Sequence, residues 1–109
     1  RDFTYIDNVI QANLLSITTK NKKAINTVYN VAFGERNTLK DLVELLKKQL
    51  TELDSKIKDI QVIYGPNRVG DIPHSLASID KAKKLLAYNP QFSLEKGLKE
   101  AVNWYWNNL

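Results

Sequence analysis

The chain has 109 residues, 43% hydrophobic and 26% charged, a net charge of +4 and a pI near 9.3, which suits one domain with a modest core. It has no cysteine and one histidine, which excludes disulfide frameworks and thiolate metal sites and leaves little for any metal centre. No apolar run approaches a bilayer span and no signal-peptide pattern occurs, so we expect a cytoplasmic protein without a membrane partner.

In chain order, residues 3 to 5 alternate briefly and predict a short strand. Asp7 is then placed as a helix N-cap. Ile6, Ile10, Asn13, Leu14 and Ile17 follow at helical spacing, predicting a first helix to about Thr19. Lys20-Asn21-Lys22-Lys23 reads as a solvated turn rather than a basic contact patch. Residues 27 to 33 are β-branched and aromatic with apolar side chains on both faces, the pattern of a strand buried in a parallel sheet. Only residues 61 to 64 offer another clear strand, so the neighbours of such a strand are missing. Together with the absence of any methionine, this leads us to expect a piece of a longer protein.

Gly34-Glu35-Arg36-Asn37 forms the next turn. Thr38 caps a helix with Asp41 in its first turn, and Leu39, Leu42, Val43, Leu46, Leu50 and Leu53 form one stripe. Glu44 and Lys48 are expected to pair on the exposed side. Strand, loop, helix and strand make a βαβ-like unit whose 34–37 loop leaves the carboxyl end of the strand, where open α/β sheets place ligands. Asp80 is placed as the cap of a short helix through Leu86, stopped at Asn89-Pro90. Ser93 caps a last helix with Leu94, Leu98, Ala101, Val102 and Tyr105 on one face. Trp104 and Trp106 flank that face and are read as closing a core edge, with base or sugar stacking as the alternative.

Thirteen of the sixteen basic residues are lysines mixed with acids along helix faces, a solvated surface rather than a nucleic-acid stripe. The three arginines differ. Arg1, Arg36 and Arg68 sit in loops or at segment edges, each with an acid within three residues. The richest string is Tyr64-Gly65-Pro66-Asn67-Arg68-Val69-Gly70-Asp71-Ile72-Pro73-His74-Ser75. A guanidinium on a turn suits bidentate contact with phosphate oxygens, and the carboxylate three residues on can accept from ribose hydroxyls. A nucleoside diphosphate presents both groups. The structural alternatives are an Arg68–Asp71 bridge within the turn and an Arg1 pair with Asp2 or Asp7. The four glycines, at 34, 65, 70 and 97, form no glycine-rich phosphate loop, and no tyrosine is followed four residues later by lysine. His74 has no positional support as a base and reads as a loop surface residue. We therefore assign no catalytic, cofactor-binding or metal residues to this chain.

Arg1-Asp2-Phe3-Thr4-Tyr5-Ile6-Asp7-Asn8-Val9, Tyr29-Asn30-Val31-Ala32, Gly34-Glu35-Arg36-Asn37-Thr38-Leu39, Gly65 to Ser75, Asp80-Lys81-Ala82 and Leu85-Leu86-Ala87-Tyr88-Asn89-Pro90 occur in that order. This series resembles the carboxyl-terminal third of an extended short-chain dehydrogenase/reductase, and within that family is similar to bacterial UDP-N-acetylglucosamine 4-epimerases. The resemblance implies an α/β fold, the end of a Rossmann-type NAD-binding fold with a small substrate-binding domain, with about four helices and two to three short strands. It implies that residues 1–109 are the substrate-binding portion, residues 25–50 giving a strand and helix to the parent sheet. Carried over by motif, Arg1, Arg68 and Asp71 would bind the UDP part of the substrate. Ser75 would border the sugar and be small enough to admit an N-acetyl group. NAD would be held by an amino-terminal domain, together with the catalytic Tyr-x-x-x-Lys, in a parent enzyme expected to be a homodimer. The fragment alone is expected to be inactive. The competing expectations are another epimerase, dehydratase or decarboxylase of the same superfamily and, in a different class, a basic nucleic-acid-binding or interaction module.

Overall fold

Four α-helices dominate the computed structural model, which describes residues 1–109: α1 Ile6–Thr18, α2 Leu39–Leu53, α3 Asp80–Leu86 and α4 Leu94–Asn108. Short 3-10 turns occupy Lys22–Ala24 and Ser55–Asp59. No helix is long and apolar enough to cross a membrane.

Two of the helix starts follow the caps expected from sequence. At α2, the Thr38 hydroxyl accepts from the Asp41 amide at 3.0 Å while the Asp41 carboxylate accepts from the Thr38 amide at 2.7 Å, a reciprocal capping box. At α4, the Ser93 hydroxyl accepts from the Lys96 amide at 3.3 Å. The other two starts differ. Tyr5 and Ile79 occupy the cap positions of α1 and α3 without side-chain capping bonds, so Asp7 and Asp80 lie inside the first turns. There each acid faces the positive end of the helix dipole instead of accepting a capping bond. Glu44 pairs with Lys40, at 3.9 Å, rather than with Lys48.

The expected α/β, Rossmann-type architecture does not form. The chain contains no strand, and residues 3–5, 27–33 and 61–64 share no main-chain hydrogen bond with one another. An extended segment becomes a strand only when a neighbour supplies its backbone partners, whatever its β propensity. In residues 27–33 side chains fill that role. Lys81 Nζ donates to the Val28 carbonyl at 2.8 Å, the Tyr88 hydroxyl donates to the Ala32 carbonyl at 2.6 Å, and the Asp2 carboxylate accepts from the Phe33 amide at 3.2 Å. Nor is the segment buried on both sides, since Val28 is 84% exposed.

The core lies between α1 and α3. Ala12, Ala32, Ile79, Ala82 and Tyr88 are buried together, with Leu15, Tyr29, Val31 and Ala77 packed around them. α1 presents a different face to this core from the one its apolar spacing predicts. Ile6, Ile10, Leu14 and Ile17 are exposed, and Asn8 and Ala12 are buried. The reason is polar. Asn8 donates to the Phe92 carbonyl at 2.8 Å and accepts from the Gln91 and Phe92 amides at 3.0 and 3.1 Å. One turn further on, Gln11 brackets the Asn89 main chain with two bonds of 2.8 Å. Two amides on one helix face thus hold the segment entering α4.

α4 packs on α2 along an apolar seam in which Leu46 and Leu50 face Leu98, Val102 and Trp106. Trp106 closes one edge of that seam, while Trp104 stands edge-on to Tyr105 at 5.1 Å. Gly97 lets α4 approach Tyr5, where an added Cβ would lie 2.5 Å from the Tyr5 Cβ.

Candidate functional site

The loop 33–37 is tied to the first two residues, and this junction builds the site. Asp2 accepts from the Phe33 amide at 3.2 Å and from the Gly34 amide at 3.0 Å. Gly34 has φ +88°, and a Cβ there would press on Ile79 at 3.0 Å, so the turn requires glycine. Arg1 and Asn37 then exchange two main-chain bonds, from the Asn37 amide to Arg1 O at 2.9 Å and from the Arg1 nitrogen to Asn37 O at 2.8 Å. The capping box of α2 follows at once.

Anchored this way, the Arg1 side chain reaches the 66–75 loop. Its Nη2 pairs with the Asp71 carboxylate and its Nη1 donates to the Ile72 carbonyl. The loop itself turns at Gly70, φ +80°, closed by the Asp71 amide on the Arg68 carbonyl at 3.2 Å. Asp71 therefore bridges to Arg1 through its side chain and to Arg68 only through its backbone. Neither pairing foreseen as a structural alternative, Arg68 with Asp71 or Arg1 with Asp2 or Asp7, is among the ion pairs.

The two loops face each other across a cleft of about 410 Å³ lined by Arg1, Arg36, Asn37, Thr38, Leu39, Asn67, Arg68, Asp71, Ile72, Pro73 and His74. An adjoining hollow shares Arg1, Leu39, Asn67, Arg68 and Asp71 and adds an apolar wall of Val43, Val62, Ile63 and Tyr64. Of the predicted site residues, Arg1, Arg68 and Asp71 thus share one cleft, and Ser75 is not part of its lining. The sequence reading did not gather Arg36, Asn67 and His74 into the site. The signals for Arg36 were a scarce arginine in a turn and the expectation that the 34–37 loop lies where open α/β sheets place ligands.

The cleft is cationic. Three guanidiniums face one carboxylate, and that carboxylate is already paired with Arg1. Arg36 and Arg68 have no carboxylate within ion-pair distance. Hydrogen bonds from the Thr38 amide and hydroxyl hold the Asp41 carboxyl below its ordinary value, so this acid stays ionised at the α2 start beside the cleft. Such an arrangement can hold an anion with a neighbouring polar or ring-shaped group. It offers no nucleophile hydrogen-bonded to a base. No group of His, Cys, Asp and Glu is arranged to hold a metal ion.

No family model matches the chain. It is similar to UDP-glucuronate 4-epimerase 4 of Arabidopsis thaliana, 33% identical over 115 residues, covering 96% of this chain and 25% of that protein. It is also similar to a UDP-glucuronate 4-epimerase of Thermodesulfobacterium geofontis, 32% identical over 111 residues, covering 100% of this chain and 31% of that protein. A Methanocaldococcus jannaschii protein provisionally named a UDP-glucose 4-epimerase is 29% identical over 108 residues, covering 99% of this chain and 32% of that protein. The chain spans about a quarter to a third of the length of these relatives. Its homologues are therefore UDP-sugar 4-epimerases. None of these three carries the name of a UDP-N-acetylglucosamine enzyme, so that narrower expectation rests on the motif resemblance alone.

Proposed function

We propose that this chain is the nucleotide-sugar-binding portion of a UDP-sugar 4-epimerase, an isomerase, and that the cleft between the 33–37 and 66–75 loops takes the UDP moiety. The observation that carries this reading is the convergence of Arg1, Arg68 and Asp71 on one cationic cleft, in a chain whose homologues are named for UDP-sugars. Arg68 clamps pyrophosphate oxygens with its planar fork. Asp71, held in place by Arg1, accepts from ribose hydroxyls. The apolar wall of Val43, Val62 and Tyr64 borders the uracil ring. Ser75 follows at the sugar end, where its small side chain leaves room for an acetamido group. UDP-N-acetylglucosamine and UDP-N-acetylgalactosamine are the finer substrate assignment.

Epimerisation at C4 takes a hydride from the sugar and returns it to the other face, chemistry that NAD supplies when bound. The residues of this chain do not fit that cofactor. Gly97 is closed by Tyr5 inside α4, Gly34 serves a turn against Ile79, and the α2 start is occupied by the Asp41 carboxylate. The share of the work proposed for this chain is grip and orientation of the substrate, without turnover.

Titration calorimetry with UDP tests the reading. The chain binds UDP, and Arg68→Ala weakens binding by roughly 1.5–3 kcal/mol, the usual worth of a charge-assisted bond. Equal UDP affinity in the two proteins removes Arg68 from the role. An affinity for DNA that falls steeply with salt is the mark of the nucleic-acid alternative.

A further inference from the structure

The cleft contains a cation that the sequence motifs leave without a task. Arg36 stands at the tip of the 33–37 turn and lines the same cleft as Arg68. Its backbone is fixed on both sides. Asn37 exchanges two main-chain bonds with Arg1, and Thr38 and Asp41 close the capping box immediately after. Gly34 is held on the Asp2 carboxylate just before it. The turn is therefore a rigid mount, yet the side chain it carries is exposed and forms no ion pair, even with adjacent Glu35.

The charge count in the cleft gives this a direction. The Arg1 guanidinium is engaged by Asp71 and by the Ile72 carbonyl, so that pair is close to neutral as a unit. Two unengaged forks remain, Arg36 from one loop and Arg68 from the other. A single phosphate needs one such fork. Two forks on opposite loops suit a ligand with two linked phosphoryl groups, whose charges each fork can meet with paired hydrogen bonds.

We infer that Arg36 is a second diphosphate-binding residue, gripping the anion from the 33–37 loop while Arg68 grips it from the 66–75 loop. The inference rests on the nucleotide-sugar reading above and extends it to a residue that no motif assigned. Arg36 stabilises nothing in the fold, so its replacement leaves helicity and thermal midpoint unchanged.

The test is calorimetry of the chain with UDP and with uridine, for the unmodified protein and for Arg36→Ala, Arg36→Lys and Arg68→Ala. Arg36→Ala is expected to weaken UDP about tenfold and leave uridine unaffected, with Arg36→Lys in between because an ammonium lacks the fork. If Arg68→Ala weakens UDP and Arg36→Ala does not, Arg36 is not a ligand and the UDP reading stands without it. If the unmodified chain does not bind UDP, or neither substitution alters its affinity, both the reading and the inference are wrong.

Discussion

Asn8 shows how much of this fold depends on single polar side chains. It is 0% exposed, and its amide satisfies three main-chain groups of residues 91 and 92. Asn8→Ala strands those groups in a dry site and is expected to cost about 2–4 kcal/mol, measured as a drop in the urea midpoint. An unchanged midpoint would mean that the bracket contributes nothing. Tyr88 has a similar place, 2% exposed with its hydroxyl on the Ala32 carbonyl. Burial first, and then the negative charge of Asp2, push its phenol above the ordinary value of 10.0, and burial does the same for Tyr5. The neutral phenols are favoured in the folded state, so their contribution is complete below pH 10 and is lost as pH rises through the higher folded values. Stability measured from pH 8 upward should therefore begin to fall near pH 10, and Tyr88→Phe should flatten that fall.

At the scale of the elements, the starts of α2 and α4 were legible because a cap is a local signal: Thr38 with Asp41, and Ser93 before an apolar face. The low Asp41 pKa makes the α2 cap sensitive to acid. Its contribution is present above the unfolded carboxylate value and disappears as pH falls through the lowered folded one. Thr38→Ala should cost about 1 kcal/mol at neutral pH and reduce the acid-dependent loss, a pair of effects readable in thermal melts at pH 7 and pH 3. The orientation of α1 was not legible. Its apolar spacing chose Ile6, Ile10, Leu14 and Ile17, whereas Asn8 and Gln11 fix the inward face through bonds to residues more than eighty and nearly eighty positions away. The strands failed for a related reason. Residues 27–33 carry a strand's composition, but the partner that makes a strand is a distant main chain, and here side chains meet it instead. Gly97 was read only as a glycine. Gly97→Ala should gain about 1 kcal/mol of helix propensity and lose more to the overlap with Tyr5, for a net fall in the thermal midpoint.

Across the whole molecule, a radius of gyration of 17.0 Å and extents of 54 × 35 × 19 Å describe an elongated slab. A compact chain of this length has a radius near ~13 Å. The apolar stripe of α1 lies on its surface, with Ile17 80% exposed, so Ile17→Lys should change the unfolding free energy measured in urea by less than about 0.5 kcal/mol. A loss of several kcal/mol would show that Ile17 is packed. Arg1, Arg68 and Asp71, grouped by their chemistry and by the family resemblance, do line one cleft, whereas Ser75 does not and the strands expected from patterning do not form. A scarce arginine beside an acid on a glycine turn pointed to Arg68 and Asp71 without any tertiary information, and the family resemblance added Arg1. The 34–37 loop was expected near a ligand, but what brings Arg36 to the same cleft is the Arg1–Asn37 main-chain pair, a contact spanning 36 positions that no local pattern encodes.

The central claim is that the cleft between the two loops is where a uridine diphosphate sits, and amide chemical-shift mapping tests it most directly. Addition of UDP to the isotopically labelled chain should shift the amides of residues 34–38 and 67–74 in a saturable way and leave those of α3 in place. Saturable shifts centred elsewhere, or none at all, would contradict the account.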